Sequence, residues 1–162
     1  MTDAVDAVLA RHRAEERAAA RPQLVVYVPG RPPTPNSTGG RNSWAAGARE
    51  RAEWKDTARK LALDAVNRAR WPEAQRVRLT ITFVVPTHGR RDWDNLVAGT
   101  KPLTDGLVAA HVMSDDSLEV VAELVLRWRY ERGIAGTEYT VERLEVPQEG
   151  LGLVASPFSE GL

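Results

Sequence analysis

The chain has 162 residues, 43% hydrophobic and 27% charged, and its 22 Lys+Arg balance 22 Asp+Glu. That length predicts one domain with tails and a sizeable core. With no cysteine it has neither disulfides nor thiolate metal sites, and three histidines in no paired spacing argue against a histidine-rich zinc centre. No stretch approaches the roughly 18 apolar residues of a membrane-spanning helix, and residues 1–20, charged and alanine-rich, lack the apolar segment of a secretory signal. A cytoplasmic location is expected. The neutral total hides an asymmetry. Residues 31–101 carry 14 basic against 7 acidic groups, and residues 102–162 carry 4 against 11. The basic middle would suit a phosphate-tracking face if the fold gathers it; otherwise it is an ordinary charged helix surface.

In chain order, residues 3–20 read as a polar helix with a thin apolar stripe, Val5, Val8 and Leu9. Residues 23–28 are a short β-rich run and the first predicted strand. Residues 29–40 form a loop stiffened by proline and loosened by glycine. Arg31, Asn36 and Arg41 make it either a phosphate-touching loop or a plain exposed connection. Ser43 is a possible cap for a long helix over residues 44–70, with Trp54, Ala58, Leu61, Ala65 and Ala69 on the buried side. Arg49, Arg51, Lys55, Arg59, Lys60 and Arg68 fall elsewhere on that helix. Residues 77–85 alternate, with Val77, Leu79, Ile81, Phe83 and Val85 on one face and Arg78, Thr80 and Thr82 on the other, as a half-buried strand does.

A second helix is expected from near Thr100 to near Ala110, since Pro102 suits a first turn and not a helix interior. Residues 119–130 alternate as a long strand, residues 132–136 turn, and residues 138–146 form a last strand of imperfect alternation. The expected class is α+β: a mixed β-sheet of four to five strands with two main helices packed on it. Residues 1–22 read as an N-terminal helical extension, 23–146 as the folded domain, and 147–162, rich in Gly, Pro and Ser, as a flexible tail.

The chemistry concentrates at Arg90-Arg91-Asp92-Trp93-Asp94-Asn95, echoed by Asp115-Asp116. In extended backbone Asp92 and Asp94 leave the same face, while Trp93 points the other way and can anchor the segment to the core. Two unpaired carboxylates on one side repel. A hard divalent cation, Mg²⁺ or Mn²⁺, relieves that by taking oxygen ligands from both. The alternative is a structural ion-pair cluster with Arg90, Arg91 or Arg78. A calcium loop is excluded, because Leu96 stands where a third oxygen ligand is needed. Asp115 is expected to orient Asp116, and Asp105 to play a structural part. Asn95 either holds the turn or touches substrate. His88 lies close to the acids in sequence. Trp44, Trp71 and Trp128 are expected in the core or an interface.

The ordered set resembles the RusA family of Holliday junction resolvases. The matching residues are Arg90-Arg91-Asp92-Trp93-Asp94-Asn95-Leu96, Lys101-Pro102-Leu103-Thr104-Asp105-Gly106-Leu107 and Asp115-Asp116. The segment Val-Tyr-Val-Pro-Gly-Arg-Pro-Pro-Thr-Pro-Asn at 26–36 is similar to that family's first strand and proline-rich loop. The likeness covers roughly residues 24–146. It implies a homodimeric, Mg²⁺-dependent endonuclease acting on four-way DNA junctions in recombination and repair. Its catalytic acids and metal ligands would be Asp92, Asp94 and Asp116, with Lys101 as catalytic lysine. Arg31, Asn36, Arg41, Arg90 and Arg91, read from their own charge and placement, are the expected DNA contacts. The chemistry agrees: phosphodiester hydrolysis needs an activated water and stabilisation of developing charge, which carboxylate-bound Mg²⁺ and a lysine supply. A two-fold dimer would present one site to each of two opposed strands.

The likeness departs at residues 97–100, about three more than the family spacing before Lys101. In a continuous helix that rotates the lysine by roughly 300° and shifts it by about 4.5 Å; alternatively the extra residues form a loop and the helix register is preserved. A protein that binds branched DNA with little cleavage, or a nuclease acting on flaps, forks or RNA–DNA hybrids, are the competing expectations.

Overall fold

The computed structural model describes residues 21–32 and 44–146, with the side chains of Trp44 and Ala45 excepted. The expected helix at 3–20, the tail at 147–162, the loop residues Asn36 and Arg41, and the Ser43 cap lie outside the described residues. The elements are β1 (Gln23–Pro29), α1 (Trp44–Ala69), β2 (Val77–Val85), α2 (Trp93–Gly99), α3 (Lys101–Ala109), β3 (Val121–Tyr130) and β4 (Gly136–Arg143).

The strands form one mixed sheet in the order β1-β4-β2-β3. The last strand in the chain, β4, pairs antiparallel with both β1 and β2, and β3 runs parallel to β2 at the edge. The α+β class and the mixed four-strand sheet agree with the sequence. Alternation decides which face is buried. Leu24, Val26 and Val28 of β1, the five predicted residues of β2, and Tyr139 and Val141 of β4 all lie in the core. The helices cover that face with a seam of small residues: Ala58, Ala62 and Ala65 of α1 meet Leu103 and Leu107 of α3. Ala62 is part of the seam, whereas Ala69, expected on the buried side, is exposed in the last turn. Gly106 lets α3 approach closely, since a Cβ there would stand 2.6 Å from the Lys55 carbonyl oxygen.

The opposite face of the sheet is polar. Arg78 reaches Glu123 on β3 at 2.6 Å and Glu142 on β4 at 3.1 Å, tying three strands together. Trp71 is buried and donates from Nε1 to the Val112 carbonyl at 2.9 Å, as its expected core place requires. Trp128 is not a core residue: β3 is the outermost strand, and the helices do not extend over its Leu124, Trp128 and Tyr130. Among the described residues, no helix is long and apolar enough to cross a membrane.

Candidate functional site

β2 ends at Val85 and delivers the chain to residues 86–92. The structure corrects the expected geometry here. Only Asp92 is extended, with φ −99° and ψ 131°, and it takes the N-cap position of α2. Asp94 is already in the first helical turn, so the two carboxylates do not leave one face of a strand. The local reason is the spacing of Trp93, Leu96 and Val97, which puts an apolar stripe on a short helix; Leu96 N–H donates to the Asp92 carbonyl at 3.3 Å. Trp93 is the partial anchor foreseen: it meets Phe83 edge-on with ring centroids 5.8 Å apart, yet stays 44% exposed.

The two arginines ahead of the acids behave differently. Arg90 makes a loose 3.6 Å pair with Asp92, and its side chain is 93% exposed. Arg91 is held by the Thr87 hydroxyl at 2.9 Å and the Gly89 carbonyl at 3.3 Å, and its Nε is buried and unpaired among the described residues. Asp94 accepts the Asn95 backbone N–H at 2.9 Å, as a carboxylate does at a helix start. Arg31, Arg90, Arg91, Asp92 and Asn95 line a cleft of about 460 Å³ whose floor includes Phe83, Val85 and Leu96. Gly30, at φ +92°, forms part of the rim, packed on the Trp54 ring.

The second half of the site begins one helix later. Pro102 lacks the N–H that would continue α2, so the chain breaks at Thr100 and restarts as α3. The break is fastened from below. The Thr100 carbonyl accepts from the Thr104 hydroxyl at 3.1 Å and from the Tyr139 hydroxyl at 3.4 Å. Tyr139 is fully buried on β4, and burial pushes its phenol above the ordinary value. Lys101 then starts α3 and bridges two acids, 2.7 Å from Asp105 and 2.5 Å from Asp116. These carboxylates, Asp105 first, raise the ammonium above its usual range, and the hydrogen bond from Lys101 lowers Asp116. Asp115 orients its neighbour as expected, accepting the Asp116 N–H at 2.8 Å.

Two of the predicted motif blocks therefore meet in space, Lys101 with Asp116. Asp92 and Asp94 do not join them. The seven residues of α2, about 10 Å of helix, separate Asp92 from Lys101. Among the described residues, no three acidic or histidine side chains gather in a group able to hold a metal ion. The oxygen donors match Mg²⁺ in chemistry. The expected single ligand set of Asp92, Asp94 and Asp116 is thus not assembled in this arrangement. His88 stacks on Tyr130, with centroids 3.8 Å apart, and turns to the edge strand. Tyr139 and Thr100 were not foreseen as positioning residues; their signal is long-range pairing, which local pattern does not carry. Protein-family models and curated proteins, compared with this chain, give no match.

Proposed function

We propose that the chain is a RusA-like, Mg²⁺-dependent endodeoxyribonuclease that resolves four-way DNA junctions in recombination or repair, acting as a homodimer in the cytoplasm. The observation that supports it is the Lys101–Asp116 pair, which brings together two motif blocks fifteen residues apart in the chain. The ammonium would stabilise charge developing on a phosphoryl oxygen, and Asp105 and Asp116 keep it protonated through the neutral range. Arg31, Arg90 and Arg91, around the cleft beside Asp92, would hold the backbone phosphates; Asn36 and Arg41 would extend that contact. Asp92, Asp94 and Asp116 are the residues that would hold Mg²⁺, which as a Lewis acid would lower the pKa of a bound water.

The separation of the acids favours a second reading, a protein that binds branched DNA and cleaves it weakly or not at all. Cleavage of a labelled synthetic four-way junction beside linear duplex, in Mg²⁺ and in EDTA, decides between them. Paired nicks in the junction alone, lost in EDTA, in Asp94→Asn and in Lys101→Met, are expected. Tight junction binding that survives Asp94→Asn, with no cleavage by the native chain, would establish the binding protein instead.

A further inference from the structure

A second cavity, of about 310 Å³, shares Val85, Arg90, Arg91 and Leu96 with the Asp92 cleft. Its walls include Trp93, Trp128, His88, Val85 and Leu96, with Arg90 and Arg91 at the rim. That volume lies at the small end of ligand pockets, about 300–1,000 Å³. The aromatic walls are fixed from behind. Trp93 is braced edge-on against Phe83, Trp128 stands opposite Phe83 in the β2–β3 register, and His88 is stacked on Tyr130. Yet Trp93 and Trp128 remain 44% and 59% exposed. Two large indoles held out to solvent beside a cavity mark an interaction site rather than unfinished packing.

We propose that this cavity is a nucleobase pocket, taking one unstacked base between Trp93 and Trp128 while the phosphates of the same strand lie along Arg90 and Arg91. This rests on the nucleic-acid reading above and names what the site selects. The occupant follows from the juxtaposition. Indole faces take any base by stacking, and arginines on the intervening segment match a phosphate backbone. Arg90 and Arg91 line both hollows, so a single strand crossing them sets a base on one side and a phosphodiester beside Asp92 on the other. A peptide would fill the apolar part and leave the guanidinium groups without complementary charge. Bases in a continuous duplex are already stacked and paired. Only a branch point or a single strand can supply one cheaply, which would make the pocket a reader of DNA structure rather than sequence.

The test uses the full chain in EDTA, so that cleavage plays no part. Tryptophan fluorescence is titrated with an oligothymidylate of eight nucleotides and with an abasic oligomer of the same length. Stronger quenching by the thymidylate is expected, with affinity falling about 5- to 150-fold in Trp128→Leu and largely kept in Trp128→Phe. Circular dichroism and melting of each variant check the fold. Equal quenching of the native chain by both oligomers would overturn the pocket, whether or not Trp128→Leu folds. So would a native dimer that ignores both oligomers and dissociates in Trp128→Leu, because a second copy would then cover the indole. If the junction is cleaved in Mg²⁺ and Trp128→Leu binds and cleaves like the native chain, the pocket fails and the nuclease stands. If thymidylate is bound through Trp128 and no junction is ever cut, the pocket stands and the nuclease fails.

Discussion

Alanine at position 106 should destabilise this protein, although glycine-to-alanine normally strengthens a helix. In an open α-helix the change gains about 1 kcal/mol. Gly106, however, sits where α3 crosses α1. A Cβ there would lie 2.6 Å from the Lys55 carbonyl oxygen, 2.8 Å from the Ala58 Cβ and 2.9 Å from the Arg59 nitrogen. None of these atoms can rotate away, so the helices must part by several tenths of an ångström. The same shift loosens Ala58, Ala62, Leu103 and Leu107, all fully buried. Overpacking of that kind costs about 1–3 kcal/mol, and subtracting the propensity gain leaves a net loss of up to about 2 kcal/mol. For a chain of this size that lowers the melting temperature by up to about 8 °C. Urea unfolding followed by circular dichroism measures it, with Gly89→Ala as control, since nothing lies within 4 Å of that Cβ. A midpoint higher than native for Gly106→Ala would refute the close approach of the helices.

Two further substitutions probe the joints of the fold. Tyr139→Phe should cost about 0.5 kcal/mol at neutral pH, because both hydrogen bonds it removes are long, 3.4 and 3.5 Å. Its larger effect is alkaline: burial raises the native phenol, so the unfolded phenol ionises first and native stability falls as pH rises above about 10, while below that nothing changes. Unfolding midpoints of native and Tyr139→Phe should therefore converge above pH 10, and parallel curves would contradict it. Arg78→Met leaves Glu123 and Glu142 facing each other across β2 and should cost about 0.5–1.5 kcal/mol, a figure discounted because Glu123 is half exposed. The loss should shrink in 1 M NaCl; a salt-independent loss would point to packing instead.

The sequence pattern carried well where the cause is local. Strict alternation in β2 named its five core residues, and helical spacing found α1 to within a residue of each end. It carried poorly where neighbours decide. The alternation of β3 shows two faces, but whether Leu124 and Trp128 are covered depends on β3 being outermost, and on helices ending short of it. The acidic stretch misled for another reason. Extended backbone holds at Asp92 only, and the apolar Trp93, Leu96 and Val97 turn the next residues into a helix. Over so short a stretch the alternating acids fit period two as well as the apolar residues fit a helical turn. The intervening residues 97–100 find their place as the end of α2 and the break before Pro102, so Lys101 reaches Asp116 and not Asp92.

The place of β4 has a consequence for how the chain is made. β1 and β2 do not pair; β4 pairs with both and joins them, and it leaves the ribosome about a hundred residues after β1. Until then Leu24, Val26 and Val28 have no strand beside them, and the parallel β2–β3 pair stands alone. Synthesis therefore leaves a gap into which the final strand must insert from solvent, a non-local step of the slow kind. A chain cut short before residue 136 would lose not a margin of the sheet but the member that joins its two sides.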